Sequence, residues 1–375
     1  LVHRMTLEPD GVTFRMRAAD HDAEFVASPD NDFRPVNMIN APDGTLHIVD
    51  MQRDTIEHPW AIPEKILAQV DLLRGRDRGR IYRLAPPGFK APPPPRLGAA
   101  TIPELVQTLE NPNAWSRETA QRLLFERQNP KAVAPVRDLL RHSRTAIARA
   151  HALWTLEGLG AIEEGDVLTA LEDASAHVRE QAVKVAGLHV HEMPALGSRV
   201  LLLANDDALR VRYQVAYLVG ELRGDDAIAA ALELLRRDGA DDWIRAATLS
   251  APPEMCLEVA LHLLASGEWR ADVMAEPVMT DLLFVLGAES DPLKLERIVS
   301  AFPSSPRFGT ADVVLWESLG RGLKQAGYTL TSAFEAGSAG ATAAQQVVSA
   351  SLRIAADAGH GPEQRAASIQ LLEYA

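Results

Sequence analysis

Five polar residues near the start of the chain are of the types that polarise a hydroxyl or grip an anion: Arg34, Asp50, Arg53, Glu57 and His58. A carboxylate and an imidazole can move a proton while guanidinium groups hold an anionic acceptor. The group is therefore a candidate for hydride-transfer chemistry or cofactor binding. The same residues also suit ion pairing, Asp50 with Arg53 and Glu57 with an arginine, that would pin a long loop. Glu24, Asp30 and Asp32 are oxygen donors of the kind calcium takes, but they lack the spacing and the internal glycine of a calcium loop. A solvated turn is the simpler expectation there. His189 and His191 lie two residues apart, on different faces of a helix, and no third ligand is placed beside them. Cys256 sits in the apolar run Glu254-Met-Cys-Leu-Glu-Val259 and reads as a buried, inert thiol. His3, His21, His47 and His151 are isolated and read as structural. Gly158-Leu-Gly160 and Gly337-Ser-Ala-Gly340 have no preceding strand and no Lys-Ser/Thr, so they are helix ends or loops and not phosphate cradles.

The stretch that positions the five-residue cluster is strand-rich and covers residues 1–86. Val12-Thr-Phe-Arg-Met-Arg17 alternates like a half-buried strand. Ala41-Pro-Asp-Gly44 is a turn, with Pro42 presetting φ and Gly44 supplying a positive φ. Thr45–Val49 follows as a strand ending at Asp50, and Gly79–Leu84 is a returning strand. This order is that of one antiparallel propeller blade. Met51–Arg78 is too long for a hairpin loop and predicts an insert with a short helix around Glu64–Leu73. Asp50 to His58 leave the sheet together at one face.

Residues 87–100 form a proline-rich linker, with Pro92–Pro95 favouring a stiff extended spacer. Beyond it, residues 101–375 read as helical repeats. Arg117, Arg179, Arg212 and Arg245 recur at spacings of 62, 33 and 33, each a few residues after an Asp or Asn. A weaker copy, His142-Ser-Arg-Thr-Ala-Ile147-Ala148, divides the first gap. A mostly helical segment returning at this period is the signature of an α-solenoid. Val178, Val211 and Ile244 should point inward, and Ala120, Ala182, Ala216 and Ala247 should let paired helices approach. The arginines can reach a carbonyl or carboxylate of the neighbouring repeat. Ser250-Ala-Pro-Pro253 breaks the register. Amphipathic helices are still expected over 255–264, 277–286, 293–302 and 311–325, and the motif returns around Asp357–Arg365. The expected total is seven or eight helix pairs, in a mostly α fold preceded by a small antiparallel β segment.

The formal net charge is -13, and residues 101–375 hold 25 Lys/Arg against 37 Asp/Glu, so the acidity lies in the repeats. Repulsion of phosphates makes nucleic acid an unsuitable partner. One cysteine allows no intrachain disulfide, and no apolar run approaches the length of a membrane span. The chain opens within a strand pattern and closes within a helical one, which reads as a fragment of something longer.

Asp173…Val178-Arg179…Ala182, Asp206…Val211-Arg212 and Asp357…Arg365-Ala-Ala resemble HEAT repeats, a family of protein-binding arrays and spacers that implies no chemistry. The first ninety residues resemble the end of a β-propeller of the sorbosone/glucose dehydrogenase-like class. More closely, they resemble large bacterial membrane-bound dehydrogenases in which a propeller is followed by HEAT repeats and a cytochrome c domain. The residues that carry this are Glu24-Phe-Val-Ala-Ser28, Phe33-Arg-Pro-Val-Asn37, Pro42–Asp50, Arg53, Ile56-Glu-His-Pro59 and Gly75–Arg83. The resemblance implies an extracytoplasmic, periplasmic setting and a parent that uses the quinone PQQ and haem c, neither complete in this chain. It leaves two readings: a scaffold or rigid spacer between a propeller and an electron-transfer domain, or part of a quinone-dependent sugar or alcohol dehydrogenase. A cytoplasmic repeat protein acting on a bilin or another cofactor is a third, carried by the repeats alone.

Overall fold

A computed structural model of the chain describes residues 1–267, 275–302 and 311–375. These fall into two compact units, Leu1–Val178 and Arg179–Ala375.

In the first unit, β1 (Met5–Asp10) and β2 (Thr13–Ala18) form an antiparallel hairpin in which Leu7 faces Met16. A separate antiparallel sheet has the order β3-β4-β5, from β3 (Pro35–Asn40), β4 (Leu46–Asp50) and β5 (Arg80–Leu84). The turn before β4 forms as expected: Gly44 has φ +84° and donates its N–H to the Ala41 carbonyl at 2.9 Å. Ile48, Phe33 and Val2 make the core of this segment, with Val26, Leu46 and Leu84 packed around them. What forms is a small antiparallel sheet with a hairpin beside it. The strand expected at Val12–Arg17 is present, but not half-buried. Every residue of β2 is exposed, and only Val12 before it is buried. The insert's helix, α1 (Glu64–Leu67), is shorter than expected. Beyond it the Asp71 side chain accepts the Leu73 N–H, and local turns replace the helical ladder.

Helices then pair. In the first unit these are α2 (Ile102–Thr108) with α3 (Ala114–Arg127), and α4 (Val133–His142) with α5 (Ala146–Gly158), followed by α6 (Glu164–Leu171). Thr101 and Glu104 close a reciprocal capping box that starts α2. The division between units falls inside α7 (Ala176–His189). Asn113 ties the first helix pair to the sheet by donating to the Ala41 carbonyl at 2.9 Å.

The second unit continues with α8 (Pro194–Leu202), α9 (Leu209–Leu218), α10 (Asp225–Asp238), α11 (Asp242–Leu249) and α12 (Pro253–Ser266). After it come α13 (Ala275–Glu289), α14 (Pro292–Ser300), α15 (Ala311–Gln325), α16 (Ala339–Ala356) and α17 (Pro362–Leu372). First helices of successive pairs stack on one another, α8 on α10 on α12 on α14. Second helices do the same, α9 on α11 on α13 on α15. Val178, Val211 and Ile244 are fully buried, as are Ala120 and Ala182, while Ala216 and Ala247 are nearly so. Ser250–Pro253 does not break the stack. Pro252 and Pro253 are the N-cap and first residue of α12, where a missing N–H costs nothing.

Candidate functional site

The five polar residues of the β segment are neighbours in the chain or sheet but do different work. Asp50 is almost fully buried at the end of β4. Its Oδ1 accepts the backbone N–H of Arg34 at 2.8 Å and of Gln52 at 2.9 Å, and its Oδ2 has no hydrogen-bond partner. Arg34 directs its guanidinium at the carbonyls of Asn31 and, at 3.0 Å, Asp54. Arg53 donates to the Leu72 carbonyl, and its Nε is buried without a partner. Both arginines therefore pin the insert, as the ion-pair expectation had it, but through backbone carbonyls in place of Asp50 and Glu57. Glu57 and His58 are exposed; His58 accepts the Trp60 N–H and stands edge-on to the Trp60 ring at 4.9 Å.

Sequence reasoning missed Gln52 and Gly75. Gln52 takes φ +48° and bridges Asp50 to Asp30, donating its amide to Asp30 Oδ2 at 2.8 Å. A Cβ on Gly75 would lie 2.0 Å from the Gln52 carbonyl oxygen, so only glycine lets the insert close on this corner. An anionic quinone needs open donors. Here the two guanidinium groups face carbonyls, and the central side chain is a buried carboxylate. These residues do not fit a quinone cradle.

The calcium candidates do not converge. Glu24 meets His3 at 2.6 Å, Asp30 meets Gln52, and Asp32 lies 3.7 Å from Arg74. Among the described residues no group of three or more His, Cys, Asp or Glu is placed to hold a metal. His189 ends α7 and lies 3.4 Å from Glu192, whereas His191 faces Glu221. His151 bonds Gln121 at 2.6 Å, and burial lowers its imidazole below the ordinary value. Cys256 is buried against the Ala251 and Leu249 carbonyls, and burial pushes its thiol up to about 11.

The strongest polar constellation is the arginine ladder. In the first unit Arg117 gives Nη1 to the carbonyl of Asn111 at 2.7 Å. Arg149 does the same to Ser143 at 2.8 Å and grips the Asp173 carboxylate with two bonds of 2.6 and 2.7 Å. In the second unit Arg179 grips Asp206 at 2.7 and 2.8 Å, and Arg212 grips Asp238 at 2.6 and 2.8 Å. Arg245 reaches Asp281 at 2.6 Å. Arg149, Arg212 and Arg245 each hold a carbonyl of their own turn six residues back and a carboxylate ahead, Arg179 holds the carboxylate, and Arg117 holds the carbonyl. Asp173 and Asp206 also accept the Ser175 and Ala208 N–H groups, closing the turn that leads into each helix. The weak repeat is thereby corrected. Arg149, not Ala148, holds the arginine's place, and Ala148 is the buried residue before it, equivalent to Val178. A second set of rungs went unread: Arg137 bonds the fully buried Asp166 at 2.9 Å, and Arg210 bonds Glu180 at 3.0 and 3.1 Å.

Comparison with known families bears on each part of the chain separately. Residues 102–187 match HEAT repeats, and residues 1–88 match a family described as a domain of unknown function (DUF7133). No curated protein matches the chain. The helical segment is thus HEAT-like, a class of array that points to protein–protein interaction. Among the described residues no helix is long and apolar enough to cross a membrane.

Proposed function

We propose that this chain is a protein-binding scaffold and rigid connector within a larger extracytoplasmic bacterial protein. It would join a dehydrogenase-like propeller, to which its β segment belongs, to a downstream electron-transfer domain. The observation that carries the connector reading is the bidentate ladder of Arg149, Arg179 and Arg212. Two parallel charge-assisted bonds per rung fix orientation as well as distance, so within each unit the bonded repeats are held to one another. The β segment's membership of a larger β domain is supported by its exposed apolar residues: Met5, Leu7 and Met16 on the hairpin, and Val36, Met38 and Ile81 on the outer strands. A cleft of about 280 Å³ beside Val26, Phe33, Ile48 and Leu84 continues the apolar side of the sheet. In this reading quinone and haem belong to the parent and are held by residues other than Arg34, Asp50, Arg53, Glu57 and His58.

Two measurements test it. Spin labels at Leu202→Cys and Leu293→Cys, both exposed positions of the second unit, should give one narrow distance peak; a broad distribution would sink the rigid connector. The purified chain supplied with PQQ, a dye acceptor and sugars or alcohols should show no turnover, and turnover would replace the scaffold with an enzyme.

A further inference from the structure

We infer that the second unit takes its partner on an aromatic patch made by Tyr213, Tyr217 and Trp243, and that the partner presents a basic peptide segment. This rests on the scaffold reading and adds to it a face and a chemistry. On α9, Arg210 stands two residues before the ladder arginine and bonds Glu180, one residue after the ladder arginine of the preceding repeat. Those two positions therefore touch across neighbouring second helices. One repeat further on they are occupied by Trp243 and Tyr213. An ion pair that closes the surface in one rung becomes two aromatic rings in the next.

Tyr217 adds a third ring. It stands 4.9 Å from Tyr213 at 60°, and the two hydroxyls are 2.8 Å apart. Trp243 is 56% exposed and Tyr217 53% exposed, so the rings face solvent where the preceding rung carries an ion pair. Large aromatics in such a position are the residues that dominate interfaces. The charge beside them selects the partner. Asp241 lies at the head of α11, holds the Trp243 and Ile244 N–H groups through one oxygen, and is close enough to act on the Tyr213 phenol. Arg210, the guanidinium that acts on the Tyr213 phenol, is paired with Glu180. Aromatic faces beside a carboxylate hold lysine and arginine side chains. The acidity of the array, 37 acids against 25 bases over residues 101–375, steers such a segment inward.

The test is fluorescence polarisation with an alternating Gly-Arg peptide, against a Gly-Glu peptide of equal length. The basic peptide should bind saturably, and the Tyr217→Ser/Trp243→Ser double variant, unchanged in net charge, should bind about tenfold more weakly or worse. Asp241→Asn keeps the helix cap and should show a smaller loss. Thermal melts check that these exposed substitutions leave the fold intact, and Trp243→Ser alone should move binding in the same direction. Equal binding by the double variant would overturn the patch while leaving the scaffold standing. Failure of the wild type to bind the basic peptide, or equal binding of the acidic one, would overturn the basic chemistry. The scaffold itself falls only to the distance and turnover measurements above.

Discussion

Arg212 and Asp238 are each under a tenth exposed at the side chain, and Arg212 also holds two carbonyls of its own turn. Removing the carboxylate leaves a buried guanidinium half-satisfied, so Asp238→Ala should cost about 3 kcal/mol in a denaturant melt. A shift under about 1 kcal/mol would class the rung with exposed surface pairs. The carboxylates add a pH dependence. Burial pushes Asp206 up, but Arg179, the Ala208 N–H and the Arg212 charge pull it further down, below the usual value. Glu180 is likewise pushed up by burial and brought below its usual value by Arg210 and Lys184. A depressed folded value gives stability that is complete above the unfolded carboxylate value, near about 4, and is lost as pH falls through the folded one. Acid should therefore weaken the second unit below about pH 4, and Asp206→Asn with Glu180→Gln should flatten that part of the curve. Parallel acid curves for wild type and variant would assign the loss to other groups. At this scale the sequence was legible where one residue type repeats in register, as with Arg179, Arg212 and Arg245. It failed at Arg149, because a one-residue slip put a plausible small residue, Ala148, in the arginine's place. It failed also at Gln52, whose left-handed backbone and two side-chain partners come from residues 22 positions upstream and in the same corner.

Helix contacts are set in several places by what is absent from a side chain. Gly287 on α13 and Gly322 on α15 face each other so closely that a Cβ on Gly322 would lie 2.2 Å from the Phe284 carbonyl oxygen and 2.7 Å from the Ala288 nitrogen. Both obstacles are backbone and cannot swing aside. Gly322→Ala should therefore destabilise by about 2–3 kcal/mol, as overpacking does. Gly165 in α6 has nothing within 4 Å of its would-be Cβ, and Gly165→Ala should stabilise by about 0.5 kcal/mol. Equal effects of the two in parallel thermal melts would mean that the α13–α15 crossing is looser than described. Sequence periodicity found α15 with its bounds intact, since Val313, Leu315, Trp316, Leu319 and Leu323 mark one buried stripe. It could not find the glycine crossing, because a glycine leaves no periodic signal. Pro252–Pro253 interrupt the sequence register and yet start α12, since a proline that cannot continue one helix can begin the next.

At the scale of the whole chain, the division into a short β segment and a long helical array was visible in composition, while the way the β segment meets the helices was not. The Asn113 side chain reaches from the first helix pair to Ala41, and no pattern announces a bond over 72 residues. The array's energetics follow from its connectivity: within each unit helix pairs contact their neighbours in sequence, so stability there is a sum of local and nearest-neighbour terms, and damage should spread outward and fade. Val211 gives the test. It is fully buried between α9 and its neighbours, so Val211→Asp places a charge where none can be hydrated, at a cost of roughly 3 kcal/mol or more. Hydrogen exchange followed by peptide should show protection lost together over α8 to α11 and kept over α2 to α4. Uniform loss across the chain would mean one cooperative fold in place of a linear array. An unchanged pattern would mean that Val211 does not face inward and that the arginine register, which places it beside Arg212, is displaced by a residue.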